Sequence, residues 1–349
     1  MQIRVELSMV QKFQKFIQMG EYKNKAKCEL FIEGLTDNIG FQKMMEFYNG
    51  AITKNEYIEI VYSGFNQLDY YCESQAQKLM HSNFMLLIQN KKLLNKKIDL
   101  IKSYNFNKFQ QALKPTLPSN TPINADIHFV VDGINAGSIV DAETMLMYIM
   151  IWPSKEKYLD LIEGIILHEY HHLGLKYWLD KDPIRELLLS RKNNQSALLK
   201  LSDALMSEGA ATYFFNQGHN MYPLLIESYG NDFAKKYQNA INQRNLSKDA
   251  MLIQLEQDLK TIIDNKVSYS EMIDILNQYT FNADGGEPKD KNLGCHMCKM
   301  IDRELGRAKL IEIFLKPTEF LLTYNQASAK TDAFQFQQST IKSLERMLV

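Results

Sequence analysis

The sequence has little of several things, and each shortage removes a class of protein. Its 349 residues contain only four cysteines, Cys28, Cys72, Cys295 and Cys298. That is too few for a disulfide scaffold in a chain of this length. No stretch approaches the roughly 18 apolar residues that a membrane-spanning helix needs, so no span is expected. The formal net charge is −1, so composition implies no basic face for nucleic acid. Internal repeats and low-complexity segments are absent. The first residues, Met1-Gln2-Ile3-Arg4-Val5-Glu6-Leu7, carry neither the basic nor the continuous apolar part of a signal peptide. The expected location is the cytoplasm, or outside the cell if a leader has been removed. The lysines of Lys91-Lys92 and Lys96-Lys97 alternate with Leu93, Leu94 and Ile98, which reads as a solvated helix face.

What is present is a charge of 23 % and a hydrophobic share of 45 %, as in ordinary globular proteins large enough to divide into subdomains. Residues 1–114 read as helical. A helix capped by Ser8 ends at Gly20, another runs from Phe41 to the Asn49-Gly50 turn, and Asn66 to Tyr104 is one long helix or a hairpin of two. Pro115, Pro118 and Pro122 mark a linker over 115–124. A core region follows over 125–217. It starts with a small antiparallel sheet: Ile127–Val131, the Asp132-Gly133 turn, Ala136–Val140, and Met145–Ile151. The Gly-Ser strand suits an edge, where an extended peptide could pair. Asp182-Pro183 opens a later helix, and residues 218–349 return to helix. The expected class is mainly α with a small antiparallel sheet (α+β).

One stretch departs from ordinary core chemistry. Leu161, Ile162, Ile165, Ile166 and Leu173 recur at helical intervals, and into that pattern fall His168, Glu169, His171 and His172. Residues four apart on an α-helix share a face, so His168 and His172 can aim at one point. Three imidazoles and a carboxylate in an apolar helix are costly to bury unless each polar atom has a partner. A metal supplies one, and His-Glu-x-x-His is half of a tetrahedral zinc site with a carboxylate beside it.

A third ligand is needed. A continuation to x-x-Gly-x-x-His fails, because Gly174 comes one residue early and Trp178 stands where a ligand would fall. Glu208, in Ser207-Glu208-Gly209-Ala210-Ala211, is an acidic residue in an apolar helix rich in small residues, which would allow close approach to the His168 helix. Cys295-x-x-Cys298 lacks a second close pair and reads as packed thiols. His128 and His219 read as structural and loop residues.

With these two motifs the chain resembles the gluzincin, thermolysin-like branch of zinc metallopeptidases, and within it bacterial zinc peptidases with a helical N-terminal half. The resemblance covers about residues 125–215, a catalytic core flanked by helical regions. It implies one zinc per chain held by His168, His172 and Glu208, with Glu169 as general base and a peptide or protein as substrate. It also implies a donor for the oxyanion from the C-terminal part, for which His296 stands first and Tyr213 and Tyr170 follow. Gluzincins often carry an acidic residue four positions after the Glu ligand. Here that position is Thr212, so support for the histidines must come from elsewhere. The competing reading is a zinc-binding helical protein with a structural or peptide-binding role. Glu169 argues against it, because a structural site needs no base.

Overall fold

The computed structural model describes residues 3–131, 136–280 and 288–348. Helices dominate it, with one four-stranded sheet among the described residues. The strands are β1 (Val5–Glu6), β2 (Asp126–Val130), β3 (Gly137–Ile139) and β4 (Thr144–Tyr148), in the order β1-β2-β4-β3. The sheet is mixed rather than antiparallel. β1 with β2 and β2 with β4 run parallel, and only β3 with β4 is antiparallel. The hairpin partners β3 and β4 were legible from the sequence; β1 was not, because two residues carry no periodicity. The Asp132-Gly133 turn lies outside the described residues.

The fully buried β4, with Met145, Leu146, Met147 and Tyr148 all in the core, suits a central position covered on both faces. The third strand stops early: Ile149–Ile151 is a 3-10 turn. β3 is one of the two edge strands, as its small residues suggested, and β1 is the other.

Contacts divide the chain into two compact units, each assembled from three stretches. Unit 1 is Met1–Phe109, Asn124–Glu169 and Asn220–Ala234; unit 2 is Gln110–Ile123, Tyr170–His219 and Lys235–Val349. The division therefore does not follow the sequence order of helical half, linker, core and helical tail. In unit 1 the Asn66–Tyr104 stretch holds two helices, Gln75–Gln89 and Lys91–Ser103, broken at Asn90. One aromatic cluster joins Phe13, Phe31, Phe65, Phe84 and Tyr57. Another sets Trp152 against Tyr104, Phe106 and Phe129.

Lys97 corrects the expectation of a solvated lysine face. Its side chain is 0 % exposed, and Nζ donates to Met150 O at 3.0 Å, to Trp152 O and to Glu227 Oε1 at 2.8 Å. Ser154 adds its N–H to Oε1 at 2.7 Å and its hydroxyl to Oε2 at 2.9 Å. Burial pushes the Lys97 ammonium below its ordinary pKa. Burial also pushes Glu227 up, but Lys97 and Ser154 outweigh it and hold the carboxylate below its ordinary value. Spacing along a helix does not reveal that a lysine sits on the covered face.

In unit 2 the proline-rich segment is packed rather than a free spacer. Thr116 is buried, Leu117 lies where a Cβ on Gly174 would meet it at 2.4 Å, and Trp178 Nε1 donates to Thr121 Oγ1 at 2.7 Å. Proline fixes φ without making a chain flexible, and here the segment forms a 3-10 turn with Pro in its first positions. Gly174 and Trp178 are thereby explained as packing partners of this segment.

Candidate metal centre

The histidine motif lies on the helix Leu159–Leu179. Ile162, Ile166, Tyr170, Leu173 and Leu175 are all buried along it, so the helix is covered around most of its circumference and its polar residues need internal partners. The division between the two units falls inside this continuous helix, after Glu169. His168 and His172 sit one turn apart, as the spacing required. His171, between them, is fully buried and makes a different contact: its Nε2 lies 3.0 Å from Thr116 O, and the rings of Phe214, Phe215 and Phe314 surround it. The third imidazole of the motif is a structural pin.

Glu208 stands on the helix Asn194–Phe215, whose N-cap Asn193 accepts the Ser196 N–H. His168, His172 and Glu208 each present a ligand atom, and these atoms all lie within 4.8 Å of one another. His172 Nε2 and Glu208 Oε1 are 3.3 Å apart. Two ligand atoms on a tetrahedral zinc, each at 2.0–2.1 Å from the ion, are separated by about 3.3 Å. The nitrogen–nitrogen–oxygen donor set and this spacing both fit zinc.

The other nitrogen of His172 is fixed as well. Nδ1 lies 2.9 Å from Ser207 Oγ. With Nδ1–H donating to that hydroxyl, Nε2 carries its lone pair toward Glu208, the tautomer a metal ligand needs. Ser207 thus supplies the support that Thr212 cannot. A sequence signal existed, a hydroxyl residue immediately before the candidate ligand. Only the register of the two helices could show which ring it meets.

The small residues after Glu208 serve a helix other than the expected one. Gly209 packs against Gly294 on the helix Lys289–Leu305, where a Cβ on Gly294 would come within 1.9 Å of Leu205 O and one on Gly209 within 2.2 Å of Gly294 C. No side chain fits there without moving backbone. This close crossing carries Asp290 and Lys291, one turn before Gly294, to Glu208. Lys291 Nζ is 3.3 Å from Glu208 Oε2. Asp290 is 2 % exposed, and burial followed by the neighbouring Glu208 charge pushes its carboxyl up to about 7. Neither residue belongs to a motif, and both were missed from sequence.

Glu169 faces the sheet. Its Cγ lies 3.1 Å from where a Cβ on Gly137 would stand. The glycine of strand β3, at one edge of the sheet, leaves room for the Glu169 side chain, so Glu169 lies alongside that strand.

His296 is not brought to this cluster. At about 100° per residue it lies on the opposite side of its helix from Asp290, Lys291 and Gly294. Its ring packs against Tyr324 at 6.1 Å between centroids. Burial, then the charges of Lys248, Lys299 and Arg303, lower it to about 4. The sequence placed it near the metal by segment, and the helix phase turns it away. Of the other oxyanion candidates, Tyr213 donates its hydroxyl to Asp302 Oδ2 at 2.8 Å and Tyr170 is fully buried. Cys298 is buried, and burial raises its thiol pKa well above the ordinary value. A packed, protonated thiol fits that position.

The profile of the family described as "Putative zinc dependent peptidase (DUF5700)" matches residues 32–333. The chain belongs to this family. The match takes in the His168–His172 motif, Glu208 and Lys291 alike, and it extends through both units. Searches of curated proteins and of solved structures found no match. Among the described residues, no helix is long and apolar enough to cross a membrane.

Proposed function

We propose that this protein is a zinc-dependent peptidase of the gluzincin type, holding one zinc per chain on His168, His172 and Glu208. The observation that carries this reading is the convergence of those three ligand atoms within 4.8 Å, with Glu169 next in the chain to His168. Membership of the family described as "Putative zinc dependent peptidase" supports the zinc-peptidase part of this reading. Zinc bound there would supply Lewis acidity, easing ionisation of a water and polarising a substrate carbonyl.

The chain's own residues supply the rest. Ser207 keeps the His172 ring in one orientation and one tautomer. Glu169, as the base, takes a proton from the attacking water and returns it to the leaving amine, a transfer worth about 10²–10⁴-fold in rate. An extended substrate would pair with the edge strand β3, whose Gly137 lies against the Glu169 side chain. Main-chain pairing at a sheet edge gives affinity with little demand on side-chain identity, consistent with a peptide substrate.

Elemental analysis of the purified wild type beside a His168→Ala, His172→Ala variant tests the site. About one zinc per chain, lost in the variant, is expected; no metal in either after zinc is added at neutral pH would end the peptidase reading. Glu169→Gln then separates catalysis from binding. It should retain zinc and lose cleavage of a peptide library by at least about 10²-fold. Unchanged cleavage would remove Glu169 from the mechanism.

A further inference from the structure

The two oxygens of Glu208 face different neighbours. Oε1 is 3.3 Å from His172 Nε2, on the ligand side, and Oε2 is 3.3 Å from Lys291 Nζ. We propose that Lys291 is a positioning residue for the zinc site: its ammonium holds Oε2, so that Glu208 offers Oε1 alone to the metal. This inference rests on the zinc reading above.

The argument is one of restricted freedom. A carboxylate with both oxygens available can rotate or bind an ion through both, and either change alters the number and geometry of ligands. A cation fixed on the outer oxygen removes that choice and keeps a position open for water and substrate. Lys291 is placed to do this reproducibly. Its helix crosses that of Glu208 closely, because Gly294 meets Leu205 and Gly209 backbone to backbone, with no space for even a methyl group. Asp290 Oδ1 accepts the Lys291 backbone N–H at 2.7 Å, which holds the first turn of that helix in place. The side chain of Lys291 is 26 % exposed, so its charge is screened from one side only.

The test measures zinc affinity on the full chain by competition with a chelator, for wild type, Lys291→Met, Lys291→Arg and His172→Ala. Lys291→Met should still bind one zinc, but about 10–100-fold more weakly, the usual loss when a residue supporting a metal ligand is removed. Lys291→Arg, which keeps a cation on Oε2, should stay within about threefold of wild type, since an arginine also pairs with a carboxylate. Cobalt(II) put in place of zinc gives a second readout. Its visible bands should weaken in Lys291→Met, as Glu208 is freed to bind through both oxygens, and remain as in wild type in Lys291→Arg. Thermal melting of the metal-free proteins checks that the variants fold. If Lys291→Met is folded and binds zinc as tightly as wild type with the same cobalt spectrum, the proposal is wrong while the zinc site stands. If wild type and His172→Ala both bind no zinc, the peptidase reading fails and this inference with it.

Discussion

Two polar clusters in this protein, one closed off from solvent and one partly exposed, solve opposite problems. Around Lys97 the chain brings its own cation to two carbonyls and the Glu227 carboxylate, and Ser154 adds donors to both Glu227 oxygens. Positive and negative charge arrive together and the cluster is closed. At His168, His172 and Glu208 the chain brings three electron-pair donors to one point, with Lys291 on the outer oxygen of Glu208. A group of donors pointed at each other is a poor way to stabilise a fold and a good way to hold an ion. The first arrangement is self-contained; the second is a candidate seat for a metal ion.

The comparison breaks most severely at Lys97. Lys97→Met leaves Glu227 buried without its cation, and an unpaired buried charge costs about 3–5 kcal/mol. Urea unfolding should show that loss, and adding Glu227→Gln should recover more than half of it, with zinc content unchanged throughout. A loss of zinc with Lys97→Met alone would mean that the two clusters are not separable. Ser207→Ala is the converse change. It removes one hydroxyl from His172 and should lower zinc affinity about 10–100-fold while the metal-free melting temperature stays nearly constant. Equal zinc affinity would show that His172 is oriented by something else.

His296 gives the smallest effect and sharpens the boundary of the site. Its folded pKa of about 4 lies below the ordinary histidine value, so the fold prefers the neutral ring. The stability that goes with neutrality is present above about pH 6.5 and is lost as pH falls toward 4. Wild type should therefore lose stability relative to His296→Gln on going from pH 7.5 to pH 5, by about 1 kcal/mol after allowance for partial exposure. Peptide cleavage at neutral pH should be unaffected by His296→Gln. A large loss of turnover would return His296 to the reaction.

Much of the candidate site was legible in the sequence, for a definite reason. His168 and His172 are joined by a single turn of helix, and helix geometry alone dictates that they share a face. Glu208 was legible from the misfit of a carboxylate among apolar and small residues. The edge strand could be read from Gly137 and Ser138, although the room at Gly137 is filled by Glu169. The failures share another reason. Lys97, Lys291 and His296 are each assigned by which side of a helix meets a neighbour, and a helix gives no local sign of what will cover it. The parallel pairing of β1 with β2 was hidden in the same way, since Val5 and Ile127 are far apart in sequence.

The sequence by itself determined the candidate donor set and the class of fold: an apolar helix carrying a His-Glu-x-x-His motif, a downstream glutamate, and a mainly helical chain with a small sheet. These follow from periodicity and from the cost of burying polar atoms, which act over a few residues. Only the tertiary structure decided which groups stand behind the ligands. Ser207 reaches His172, Lys291 reaches Glu208, and His296 is turned away. Those outcomes hinge on where helices cross, and the contact of Gly209 with Gly294 fixes one such crossing between residues that sequence distance keeps apart.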